Sequence, residues 1–72
     1  MSFQAYLDNV EIKTGRSAEQ LKASAIGKGF ADEDGLAPGV KATAIVDWLK
    51  RDFDLGHGHA MSIVAYIKGK RT

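Results

Sequence analysis

Residues 45–67 read "IVDWLKRDFDLGHGHAMSIVAYI", and the folding of this stretch decides the architecture. Ahead of the glycines, Ala42, Ile45, Val46, Leu49 and Phe53 recur at the spacing of one helix face, with Trp48 on its flank. Beyond them, Ala60, Ile63, Val64 and Ile67 fall at i, i+3, i+4 and i+7. Only "DLGHGH", residues 54–59, stands between, and a connection that short folds the second helix back on the first. Gly56 and Gly58 let the chain turn sharply, and the hairpin is expected to leave the first amides of the last helix and both imidazoles facing water.

Working outward, Phe3, Tyr6, Leu7 and Val10 mark a helix that Ser2 is placed to cap and Gly15 to end. Ser17 and Gln20 stand at capping-box spacing at the start of another. Its inner face is Ala18, Leu21 and Ala25, and Gly27 or Gly29 can supply the left-handed residue that stops it. Phe30 is expected to fold back onto the core. Residues 31–40, "ADEDGLAPGV", carry three acids, two glycines and the only proline, and read as a loop pinned by Leu36 and Val40. The end, "KGKRT", is expected to fray into solvent, its cations suiting a helix C-terminus. The expected fold is all-α: one domain over residues 1–72, a small bundle of three to four short helices, the last two forming a helical hairpin.

Composition narrows the function. There is no cysteine, which removes disulfides and thiolate metal sites. Ten Lys and Arg against nine Asp and Glu leave a net charge of +1, far from the balance of a dedicated nucleic-acid binder. No apolar run reaches the ~20 residues that span a bilayer, and the first residues do not read as a signal peptide, so a cytoplasmic protein without membrane contact is expected.

His57 and His59 are the only histidines. Zinc asks for three or four protein ligands, and on a helix these two imidazoles point about 200° apart, so a polar turn is favoured over a metal site and no metal or other cofactor is assigned. An anion is a further candidate, because the first amides of the last helix lack intrahelical partners, although water and a capping side chain satisfy such amides at most helix starts. "LGHGHAMS", residues 55–62, resembles the helix-hairpin-helix element that grips nucleic-acid backbone without reading bases. Gly56 and Gly58 match its glycine pair, while its proline is missing and His57 occupies its aliphatic position. Lys50, Arg51 and Lys68 are the cations nearest in sequence that would supplement such a contact, with Lys70 and Arg71 beyond them.

Catalysis has less support. Ser62, His59 and Asp52 supply the residue types of a nucleophile, a base and an acid, but no nucleophile elbow, phosphate loop or His-Glu-x-x-His helix accompanies them. A chain this short also leaves little room for a water-excluding pocket of ~300 Å³ or more, and no enzyme is assigned. Trp48 is expected to be structural, packed between the hairpin and the first helix. Ile12, Met61 and Tyr66 lie off the apolar faces and would form a partner patch if the helices align them. "DEDG", residues 32–35, lacks the alternating ligands of a calcium loop and reads as a solvated acidic loop.

The two ends of the chain together resemble a family of small, mostly bacterial proteins described only as a domain of unknown function. Its opening pattern, Ser-Phe-x-x-Tyr-x-x-Asn followed by Thr-Gly, falls on Ser2, Phe3, Tyr6, Asn9, Thr14 and Gly15. Its later pattern runs from Trp48, Leu49 and Lys50 through Phe53, Leu55 and Gly56 to His57, Gly58, His59 and Ala60, with Asp54 where the family has glycine. The resemblance implies a small α-helical cytoplasmic domain and carries over no catalytic or binding residue. The reading that follows is a non-enzymatic binding or protein-interaction module. Its candidate contact residues are Gly56, His57, Gly58, His59, Lys50, Arg51 and Lys68. The partner is open: another protein, a second copy, or nucleic-acid backbone, with an anion or a metal at the Gly-His-Gly-His turn as a further alternative.

Overall fold

The computed structural model describes residues 2–71. Among them the chain forms α1 (Phe3–Thr14), α2 (Ala18–Gly27), β1 (Ala31–Asp32), β2 (Gly35–Leu36), α3 (Ala42–Phe53) and α4 (His57–Ile67). The fold is therefore mostly helical, as expected, but not purely so. Residues 31–36 form an antiparallel β-hairpin with Ala31 opposite Leu36 and Asp32 opposite Gly35. The acidic loop is the tip of this hairpin, closed by the Asp34 amide donating to Asp32 Oδ1 at 2.8 Å. Two-residue strands are too short to show alternation, so the sequence pattern could not reveal them. The next turn is Ala37–Val40: the Val40 amide donates to the Ala37 carbonyl at 3.0 Å, with Pro38 second and Gly39 (φ 81°) third. That is the arrangement of a type II turn.

The helix ends follow their sequence signals. Ser2 Oγ accepts from the Ala5 amide at 3.1 Å, and Gly15 takes the left-handed conformation at φ 73°. Ser17 and Gln20 make both halves of the capping box: Ser17 Oγ accepts at 3.1 Å and Gln20 Oε1 at 2.8 Å. Gly29, rather than Gly27, is the left-handed residue after α2, and the Phe30 amide reaches back to the Ala25 carbonyl at 2.9 Å. Of the end expected to fray, Thr72 lies outside the described residues, and residues 69–71 are exposed yet tied back to α4. Gly69 (φ 112°) turns the chain, the Lys70 amide bonds the Ala65 carbonyl at 3.0 Å, and Arg71 Nη1 donates to the Tyr66 carbonyl at 2.8 Å.

One cluster of buried side chains holds the elements together, and α4 lies at its centre, packed against α3, α1 and α2. The periodic residues named from sequence fill it: Leu7 and Val10; Leu21 and Ala25; Ile45, Val46 and Leu49; Ala60, Ile63, Val64 and Ile67. Trp48 is 1% exposed, so it belongs to the core rather than its flank. Its ring neighbours are Phe30 at 5.6 Å and Phe53 at 5.7 Å, neither of them on α1. Phe30, which leads from α2 into the β-hairpin, is thus a neighbour of the indole that the sequence did not announce. Ile63 is fully buried on the helix shared by the other three. Ile63→Ala is expected to cost about 2–5 kcal/mol, enough to threaten folding of so small a domain, as read by urea denaturation.

The α3–α4 turn is tighter than "DLGHGH" suggests, since only Asp54, Leu55 and Gly56 lie between the helices. Asp54 carries the left-handed conformation at φ 55°, ψ 36°. Its amide donates to the Lys50 carbonyl at 3.1 Å and the Leu55 amide reaches the Leu49 carbonyl at 3.5 Å. The first of these bonds is that of an αL ending, and Leu55 (3% exposed) is buried directly after it. Neither Gly56 nor Gly58 has positive φ. The expectation that these glycines make the bend is overturned: the residue doing so is an aspartate, Asp54. Asp54→Gly is expected to stabilise the protein by about 0.5–1 kcal/mol, raising Tm by ~2–8 °C; an unchanged or lower Tm would contradict this account of the turn.

Candidate functional site

The α3–α4 turn brings together six of the seven sequence-selected residues. Lys50 and Arg51 end α3, Gly56 caps α4, and His57, Gly58 and His59 form the first turn of α4. Lys68 is not among them. It follows the far end of α4, about 16 Å from His57 at 1.5 Å per residue, where its backbone lies beside Gly35 of the β-hairpin. Arg16, which sequence spacing had no means of placing there, joins the turn instead: its guanidinium carbon lies 5.8 Å from the centre of the Phe53 ring. Lys50 and Arg51 are exposed, and Arg51 makes only a surface pair with Asp52 at 3.4 Å, a contact worth little.

Gly56 has no side chain to cap α4, and no acceptor among the described residues takes the amides of His57, Gly58 or His59. The Ala60 amide bonds the Gly56 carbonyl at 2.9 Å. The helix thus opens with free donors, as its sequence suggested.

The histidines divide. His57 faces solvent, whereas His59 turns inward to meet Tyr6 edge-on, with ring centres 5.3 Å apart. His59 Nε2 is buried without a hydrogen-bond partner among the described residues. The expectation that both imidazoles face water is therefore corrected for His59, because position 59 lies one turn before Ile63, on the flank that faces α1. Both residues are inside the helix at i and i+2, so their rings point away from each other. No group of three or more His, Asp or Glu among the described residues comes together as a metal site would need. Ser62 is buried, and its hydroxyl donates to the Gly58 carbonyl at 3.0 Å. That bond, one turn back along its own helix, takes the proton a nucleophile would have to give up to a base.

A cleft of about 340 Å³ runs from the turn along the junction of α1 and α4. Phe3, Tyr6, Gly58, Met61, Ala65 and Lys70 line it. What the cleft lacks is enclosure, since it stays open to solvent along its length. Lys70 stands at its edge, its Nζ 4.9 Å from the centre of the Phe3 ring. The three apolar residues read as a prospective patch do not share it. Met61 lines this cleft, Tyr66 lies on another side beneath Arg71 at 3.8 Å, and Ile12 points outward from α1. Phe3 and Tyr6 carry the edge of the α1 apolar stripe, which is the signal that identifies them as partly exposed lining.

Fold and site together define a small helical domain with an open cleft beside a hairpin turn. The family model described as a domain of unknown function (DUF4287) matches residues 2–69, and the chain belongs to that family. No curated protein and no solved structure matches it significantly. No helix among the described residues is long and apolar enough to cross a membrane.

Gly58 offers a test of whether this turn is shaped for stability alone. It is helical with ordinary φ, and a Cβ there would meet Tyr6 Cε1 at 4.0 Å, an ordinary contact. Gly58→Ala is expected to raise unfolding free energy by about 0.5–1 kcal/mol through helix propensity, measured by urea denaturation. A loss of stability would show that the Tyr6 contact is tighter than the geometry indicates.

Proposed function

We propose that this chain is a non-enzymatic protein-interaction module, acting as a single cytoplasmic domain of a bacterial protein. Its contact surface is the α1–α4 cleft together with the Gly56–His59 turn. The observation that carries this reading is the cleft itself: Phe3, Tyr6, Met61 and Ala65 present apolar surface beside one cation and the free amides of the turn. Aromatic and methionine side chains at an open edge are the composition of a protein contact rather than of a reaction pocket. Met61 is 40% exposed although it sits on the most buried helix, which suits a residue kept for a partner. Peptides selected by phage display against the immobilised protein test the reading. Those that bind are expected to shift the amides of Tyr6, Gly58, Met61 and Ala65 in isotopically labelled protein. Selected peptides that leave all four unmoved would count decisively against it.

A second reading rests on a different observation: α4 opens with uncapped amides, while Lys50 and Arg51 end the preceding helix and Arg16 lies over Phe53 at that same end, a set that suits a phosphate backbone. Three phosphate contacts predict that duplex DNA binds with a log–log salt slope of about −2.7, with the Gly56–Ala60 amides reporting the contact. Equal shifts with inorganic phosphate alone would reduce this to simple anion binding.

A further inference from the structure

We propose that the occupant of the α1–α4 cleft is the outer face of α1, centred on Ile12, from a second copy of this chain. The inference rests on the reading of that cleft as an interaction surface and names its partner. Ile12 is 81% exposed, well beyond any other large apolar side chain described. Asp8 lies one turn before it on the same face and Glu11 beside it, and the three line a depression of their own. Neither carboxylate is paired with a cation: the ion pair found among the described residues is Arg51–Asp52. Asp8 Oδ1 accepts from Gln4 Nε2 at 3.0 Å and keeps its second oxygen free.

The cleft offers the complementary set. Phe3, Tyr6, Met61 and Ala65 give it apolar surface beside Ser62, Lys70 supplies a positive charge, and no carboxylate lines it. Inserting Ile12 between Phe3, Tyr6 and Met61 removes the isoleucine and the methionine from water together. The same pose carries Asp8, one helical turn away, towards Lys70 of the receiving copy. Opposite charges at such a rim fix orientation and speed encounter more than they add affinity.

The geometry also sets the symmetry. Tyr6 and Ile12 are six residues apart, hence about 120° around α1 and ~9 Å along it. Cleft and knob therefore face different directions, and the contact is head-to-tail rather than two-fold. Each contact leaves one cleft and one Ile12 unused, so association continues past the dimer.

Sedimentation equilibrium of the full chain decides the matter. The weight-average mass is expected to rise above the 7.8 kDa monomer as concentration approaches about 1 mM, the range suited to a small interface, and to fall back in high salt. Ile12→Asp and Met61→Asp are each expected to stay monomeric while keeping the native circular dichroism spectrum, as both side chains are exposed. Mixed together they are expected to form a one-to-one dimer that grows no further, since one keeps the cleft and the other keeps the knob. A mass fixed at that of the monomer overturns the proposal, and so does association that survives Met61→Asp. Either result leaves the cleft open to a different protein, which the peptide selection reads independently.

Discussion

The structure depends on a single helix being covered on three sides. Ala60, Ile63, Val64 and Ile67 of α4 are each at most 2% exposed, and α1, α2 and α3 all pack on them. A chain of 72 residues without cysteine has neither a disulfide nor spare mass with which to build a second core. Everything else is positioned relative to that helix. Its N-terminal turn sets where the free amides point, and its α1 flank brings Tyr6 to His59 and Phe3 to Lys70. The cleft is thus built from the edges of the residues that hold the fold, not from an appended loop.

Surface cations take an unusual share of the remaining work. Arg16 lies over Phe53, Lys28 over Trp48, Lys70 over Phe3 and Arg71 over Tyr66, at 3.8–5.8 Å from the ring centres. The one ion pair among the described residues is a loose surface contact. Each long side chain can lay its methylenes along a partly buried ring and keep its charge in water. Phe3, Phe53 and Tyr66 are left half-buried, and cations covering them limit the apolar surface offered to non-specific contacts, whereas Trp48 is already enclosed.

The helices were legible because burial imposes a period, and each apolar residue named on a helix face is buried or half-buried in the result. Caps were legible for the same kind of reason: Ser2, Ser17 with Gln20, and Gly15 act through local hydrogen bonds that their own spacing announces. What escaped depends on the third dimension. The β-hairpin is two residues deep on each side, so no alternation records it. Asp54 takes the left-handed position because the chain must reverse there, and aspartate tolerates the conformation well enough to hide the demand. Of the candidate site, the turn and its flanking Lys50 and Arg51 were readable from sequence. The inward rotation of His59, the arrival of Arg16 and the departure of Lys68 follow from helix phase and crossing. None of these is encoded by proximity along the chain.

The contact between Lys70 and Phe3 reaches beyond the cleft it borders, because it ties the last turn of the chain to the first. Polypeptide entering before Phe3 and leaving after Arg71 would emerge from neighbouring points on one side. A unit with that layout can be spliced into a loop of a larger protein without prying its host apart, and the surface carrying the hairpin turn would still look outward.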